Sequence, residues 1–402
     1  MRRVVITGIG GICPIGNNVS QIWESVLNNK SGIIKNEDDK LNVKVLARVK
    51  DIKLEDYLSP KEIHFNSKFI NYALIAAKEA YVDSDLSKES IDGDRFGVIV
   101  SSCIGGTEKI VDSYENNKMN SYYIPSILTS SVASKIAIEL KANGINMSIN
   151  TACASGNNAI GEAYLKIKDG LQDIMIAGAS EFAITDKLVD GFNAMRAIYG
   201  GDDINKASIP FDVNREGFVL GEGAGILILE DLEHALKRKA KIYGEIVSYS
   251  SNCDAYHIAR PELSGLYSGK AIKSALDNAG LLPQDIDYIN AHGTGTIIND
   301  ITETLAIKNA FGEHYKNPLI SSTKSMTGHL LSASGAIEAI ICLKSLQEGF
   351  VPATINSSNI DPKCDLNIVY GEGIRKDIKY ALSNSFGFGG DNACLIFKKW
   401  ME

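Results

Sequence analysis

The chain has 402 residues, 45% hydrophobic and 22% charged, an ordinary globular balance that suits roughly two to three domain-sized units. A net charge of −8 argues against a general nucleic-acid binder, which needs a basic face for phosphate contacts. Seven scattered cysteines without a CxxC pair argue against a disulfide framework or a zinc site and suit a reducing cytosol, so a cytoplasmic protein is expected.

At the N-terminus, Arg2 and Arg3 precede a short apolar run, a faint likeness to a secretion signal. Gly8, Gly10 and Gly11 interrupt that run and no small-residue cleavage site follows, so Arg3–Thr7 reads as a buried strand. The glycines there lack the GxGxxG spacing of a dinucleotide site, and Pro14 stands where a helix should open. No apolar run reaches about 18 residues, so no membrane span is expected. Asn71–Tyr81 is an Ala-rich helix, and Arg95–Ser101 is a nearly all-apolar strand of the kind buried on both faces.

Thr151-Ala152-Cys153-Ala154-Ser155-Gly156 follows the strand-like MSIN and precedes a helical pattern, Asn158–Lys168. Small neighbours let the backbone turn sharply and a substrate carbonyl approach. A cysteine at a helix N-terminus feels unpaired N–H groups, which lower its pKa below about 8.5. The segment reads equally as a nucleophile or as a buried structural cysteine.

Ile174–Gly178 and Gly225–Glu230 are further strands, and Leu232–Lys239 is a helix with basic residues near its end. The pattern then restarts. Tyr243–Tyr249 is a strand, Ser268–Asn278 a helix stopped by Gly280, and Ile286–Ala291 a strand ending at His292. Ala333–Gln347 is a long helix and Leu395–Lys398 a closing strand. This alternation predicts an α/β layered fold of two similar halves, residues 1–242 and 243–402, in one body with no flexible linker.

Three segments in the second half carry polar chemistry. Asn290-Ala291-His292-Gly293-Thr294-Gly295-Thr296 sets a histidine past a strand end, where α/β sheets bind ligands, or else is a glycine turn. Ser321–Leu330 holds Lys324 and His329 five residues apart, with Glu338 on the helix beyond, or is an ordinary polar helix start. Ser385–Gly390 sets glycines among Phe386 and Phe388, a loop able to expose N–H groups and move a ring, or a plain turn between strands. No HExxH or carboxylate stands at ligand spacing, so no metal is expected.

Together TACASG, NAHGTGT, SSTKSMTGHLL and NSFGFGG, in this order, resemble the elongating β-ketoacyl-acyl carrier protein synthases, KAS I and KAS II, and most nearly KAS II. The likeness runs nearly end to end and includes Glu216–Gly225, Asp254–His257 and Val351–Asn356. It implies the thiolase fold: two βαβαβαββ halves in a five-layered αβαβα body, the first carrying the cysteine and the second both histidines. It further implies an acyl carrier protein as partner, substrates carried on its phosphopantetheine with no other cofactor, and a homodimer or a heterodimer with a related subunit. Thiolases use a second cysteine and initiating synthases pair Cys with His and Asn, so the Cys-His-His set points to an elongating enzyme.

The resemblance also assigns roles. Cys153 takes the acyl group as a thioester, a covalent step that divides the condensation in two. The N–H groups of Cys153 and Phe388 form the oxyanion hole. His292 and His329 hold the malonyl thioester and stabilise the enolate released with CO2, and Lys324 with Glu338 orients them. Thr294 and Thr296 bind the pantetheine arm; Ile104, Phe192 and Phe386 line the substrate path, and Phe388 gates it. Leu188 stands where glycine is expected, which predicts shorter or unusual acyl chains. Two departures remain. His64-Phe65 replaces a basic pair, and another expected arginine falls near Tyr199–Gly200, leaving Lys61 and Lys118, which weakens steering of an acidic carrier. Asp391 replaces a threonine after the gate loop. These departures suit a specialised ketosynthase of a type II polyketide or polyene cluster, the alternative to fatty acid elongation.

Overall fold

A computed structural model gives the fold over residues 2–89 and 91–401. The strands of its main sheet are β1 (Val4–Ile12), β2 (Phe96–Ser101), β3 (Asn146–Met147), β4 (Ile174–Glu181) and β5 (Gly223–Asp231), then β6 (Gly244–Cys253), β7 (Tyr288–Asn290), β8 (Leu319–Ser321), β9 (Tyr380–Phe386) and β10 (Asp391–Lys399). They share one sheet in the order β8-β7-β9-β10-β6-β1-β5-β4-β2-β3.

That order is a duplication. Within each set of five, the strands run third, second, fourth, fifth, first. In each set the second, third and fourth are parallel, and the fifth is antiparallel to its two neighbours. The halves meet where Val4–Ile6 of β1 pairs with Gly244–Ile246 of β6.

Six helices complete the layers: α1 (Lys68–Asp83), α2 (Ser131–Leu140), α3 (Ser155–Lys168), α4 (Leu266–Ala279), α5 (Ile297–Phe311) and α6 (Ser332–Glu348). One core packs α1 and α2 on the first half-sheet, and another packs α4 and α5 on the second. Between the half-sheets lie α3 and α6, in contact with both. This is the five-layered αβαβα body expected. Strand side chains alternate between layers: Leu227 and Leu229 of β5 face the central core, Ile226 and Ile228 the outer one. Both faces being covered, these strands read as unbroken apolar runs.

The elements exceed the expected ones mostly at their ends. β1 runs on through Gly8, Gly10 and Gly11 to Ile12. Those glycines do not break the strand; Gly8 and Gly10 let α1 cross it closely. A Cβ at Gly8 would stand 2.2 Å from the Ala80 carbonyl oxygen, and one at Gly10 2.0 Å from that of Ala76. Helix α4 does stop at Gly280, whose φ is 67°. The two central helices touch at glycines also. A Cβ on Gly156 would meet the Ser332 carbonyl oxygen at 2.6 Å, and one on Gly335 the Asn157 side chain at 2.6 Å. Their N-terminal turns therefore lie against each other, which brings the two halves' polar segments to one place.

Candidate active site

The first contributor is the turn between β3 and α3. Ala152 holds a left-handed φ of 48°, unusual for a residue with a side chain, and Cys153 follows in a 3₁₀ turn that runs straight into α3. Ser155 clamps the turn: its hydroxyl accepts from the Thr151 N–H at 2.9 Å and donates to the Ala152 carbonyl at 2.7 Å. Asn158 donates to the Thr151 hydroxyl at 2.7 Å.

The loop joining β9 and β10 lies over this turn. A Cβ on Gly387 would sit 2.5 Å from the Thr151 carbonyl oxygen and 3.3 Å from the Cys153 nitrogen. The backbone N–H groups of Phe388 and of Cys153 itself favour a thiolate at Cys153. Even so, burial pushes the thiol up to about 12, with Lys324 and the two N–H groups pulling the other way. The lowering expected from a helix N-terminus is thus outweighed, because a desolvated thiolate costs more than the terminal dipoles return. Burial therefore favours the protonated form of Cys153.

His292 stands past the end of β7. The N–H groups of His292 and Gly293 donate to the Glu303 carboxylate of α5 at 2.8 and 2.7 Å, and the Asn384 amide of β9 adds a third bond at 3.3 Å. Burial pushes Glu303 up to about 7 against those bonds. His329 lies just before α6. Its N–H donates to the Val219 carbonyl at 2.7 Å and its carbonyl accepts from the Gly221 N–H at 2.9 Å. The Glu216–Gly225 stretch thereby holds His329, and Phe218 meets its ring edge-on at 5.1 Å.

The two imidazoles stand 5.4 Å apart at 83°. Burial, then the charge of Lys324, holds both well below the ordinary histidine range, and for His292 the charge on His329 adds to this. Both are neutral at physiological pH. Nδ1 of His329 shares a hydrogen bond with the Ser334 hydroxyl at 3.0 Å, and that hydroxyl also accepts the Leu330 N–H at 2.9 Å. Nδ1 of His292 is buried without a hydrogen-bond partner among the described residues. Lys324 is buried and bonded to the equally buried Glu338 of α6.

Cys153, His292, His329, Thr294, Phe386 and Phe388 line one cavity of about 590 Å³, with Thr296 and Phe192 also on its wall. Thr294 and Thr296 bond to each other through their hydroxyls at 2.9 Å. Ile104 and Leu188 do not reach this cavity; they pack in the apolar cluster that holds Cys153, Phe192, Phe218 and Leu331. Glu303, Asn384 and Ser334 had no sequence signal, since each is an ordinary polar residue until the fold aims it. Exposed Arg196 and Arg260 line the cavity too, basic groups that the motif reading left out.

Residues 1–235 match the family model described as beta-ketoacyl synthase, N-terminal domain, and residues 243–358 match beta-ketoacyl synthase, C-terminal domain. The chain is 43% identical to 3-oxoacyl-[acyl-carrier-protein] synthase 2 of Staphylococcus aureus (strain COL), over 99% of both chains. Against the protein of the same name from Synechocystis sp. it is 43% identical over 99% of this chain and 98% of that one. A solved type II PKS acyl-carrier protein in complex with its ketosynthase superimposes with a TM-score of 0.90 at 34% identity, with all of both chains covered.

Proposed function

This chain belongs to the beta-ketoacyl synthase family, and we propose that Cys153 holds the acyl group while His292 and His329 drive decarboxylation of the malonyl thioester. It is an acyltransferase of fatty acid elongation, a 3-oxoacyl-[acyl carrier protein] synthase like its curated relatives. The observation that carries the mechanism is one cavity walled by a buried thiol, two neutral imidazoles and a loop whose N–H favours the thiolate.

The steps balance with these residues. The Cys153 sulfur attacks the acyl thioester carbonyl, its proton leaving with the carrier thiol. The oxygen of the tetrahedral intermediate takes hydrogen bonds from the N–H groups of Cys153 and Phe388. Malonyl carrier protein then enters, with its arm along Thr294 and Thr296. The ring N–H groups of His292 and His329 donate to its thioester oxygen. Loss of CO2 leaves an enolate there, whose carbon attacks the acyl-Cys153 carbonyl. A 3-oxoacyl thioester departs, and the Cys153 thiolate takes up a proton. Neutral imidazoles suit this work, as donors that bring no competing charge. Lys324, paired with Glu338, keeps them neutral by repelling a second positive charge.

Residues 1–242 form the half that carries Cys153, and 243–402 the half that carries both histidines. The partner is an acyl carrier protein, met by Lys61, Lys118, Arg196 and Arg260, and no cofactor beyond its phosphopantetheine is needed. Two copies join through the face built by the helix Thr107–Asn116, the helix Tyr123–Ile127, α2 and the edge strand β3, where Tyr114, Ile124, Ile138 and Met147 stand exposed. Free thiols throughout suit the cytoplasm. A second reading, a specialised synthase with its own carrier, is favoured by Phe65 against Tyr122, ring centroids 4.5 Å apart, in place of a basic patch.

The test is Cys153→Gln. It should abolish acyl-enzyme formation and condensation yet keep malonyl thioester decarboxylation. Condensation by Cys153→Ala at the wild-type rate would sink the mechanism.

A further inference from the structure

Leu331 stands at the N-cap of α6 with φ 51° and ψ −120°, and its side chain makes no capping hydrogen bond. This is the first-corner conformation of a type II′ turn, left to glycine because a Cβ crowds the backbone there. Leucine is also among the poorest N-cap residues, since it offers no acceptor to the first-turn N–H groups. The position breaks two local rules at once, and such violations gather at functional sites.

Its neighbours hold it there. The His329 backbone is fixed by Val219 and Gly221, and the Leu330 N–H donates to the Ser334 hydroxyl at 2.9 Å. On the other side the Ser332 hydroxyl donates to Glu181, the buried end of β4, at 2.6 Å. The same carboxylate accepts the Ile104 N–H at 3.2 Å, so an acid of the first half anchors the residue after Leu331.

What the strained turn fixes is the direction of the side chain. Leu330 packs in the central core, whereas His329 and Leu331 on either side of it both line the cavity. Leu331 is 3% exposed and packs in the apolar cluster with Cys153, Phe192 and Phe218. Glycine would take the same turn freely but leave that part of the wall bare. The cavity therefore has an apolar side, which holds the sulfur, and a side of imidazoles and threonine hydroxyls that can hold water. Water competes with the second substrate. Its oxygen would attack the acyl-Cys153 carbonyl and the C–S bond would break. The sulfur would take a proton from that water, releasing a free carboxylic acid in place of a 3-oxoacyl thioester.

We propose that Leu331 is held in its strained turn to keep water off acyl-Cys153, so that the acyl group waits for the malonyl carbanion and is not hydrolysed. The proposal rests on the reading of Cys153 as acyl acceptor. A desolvated cysteine is the resting counterpart of the same shield: burial already pushes the free thiol up to about 12.

The experiment uses the full chain with Leu331→Ala, Leu331→Gly and Leu331→Met. Acyl-Cys153 is formed from an acyl-carrier thioester, excess donor is removed, and the decay without malonyl thioester is followed by protein mass and by the free acid released. Leu331→Ala and Leu331→Gly should hydrolyse about tenfold faster or more, for short and long chains alike. Leu331→Met, which restores the volume, should stay within about threefold of the wild type. Iodoacetamide should also alkylate free Cys153 faster in the two small variants at a fixed, mildly alkaline pH, since a hydrated thiol ionises more readily. Should Leu331→Ala not fold, Leu331→Gly, which takes the turn without strain, decides alone. Wild-type hydrolysis in the small variants overturns the proposal, as does an increase confined to one chain length or one shared equally by Leu331→Met. Failure of the catalytic reading shows itself differently, as a wild-type chain that forms no acyl-Cys153 at all.

Discussion

At the scale of single residues the proposed chemistry depends on two neutral imidazoles. Their pKa is held well below 6.5, so protonation on acidification comes late. Decarboxylation by Cys153→Gln should stay flat as pH falls through 6.5 and decline only well below it, in a rate profile with saturating malonyl thioester. Lys324→Ala removes a charge that holds both rings down, so the decline should move to higher pH. Ser334→Ala removes the side-chain partner of Nδ1 of His329; decarboxylation should drop by about tenfold, read as kcat with little change in KM. Cys153, His292, His329 and Lys324 were all legible from their motifs. The state of the thiol was not: helix position alone predicts a lowered pKa, and burial reverses it.

Among elements, α3 and α6 decide whether the two halves form one site. Cys153 opens the first and His329 precedes the second, and they meet through Gly156 and Gly335 with no room for a side chain. Gly335→Ala should cost about 1–3 kcal/mol by overpacking, seen as a lower denaturant midpoint with an unchanged slope. Condensation should fall more than stability alone accounts for, since the rings move with α6. Elements with strong apolar or Ala-rich patterns, such as β5 and α1, stood out in the sequence. Of the short strands, β7 was read a few residues too long, while β3 and β8 were blurred or missed, because two or three residues carry no period. β1 was misjudged in length because its glycines look like breakers and act as a groove for α1.

The whole molecule is a duplicated sheet order closed around a shared helical layer, with one flank left apolar and exposed. Ile138 on α2 is 76% exposed and Met147 on the edge strand 40%. Sedimentation should show a dimer, and Ile138→Asp should yield monomer at the same concentration. A monomeric wild-type chain at micromolar concentration would remove that assignment. The two halves expressed apart should each fail to acylate, because neither holds a complete cavity wall.

Composition, four ordered motifs and the restart after the first half were enough, read along the chain, to determine the fold class and the family likeness and to single out the three residues proposed to react. Those signals are local: a turn, a strand end and a glycine loop each need particular residues close together in sequence. Tertiary structure alone decided that Glu303 holds the His292 loop, that Ser334 partners the His329 ring, and that Glu181 ties Ile104 to Ser332. It also decided the protonation of the thiol and both imidazoles. Hydrogen-bond partners and desolvation come from groups far away in sequence, and only packing puts them within reach.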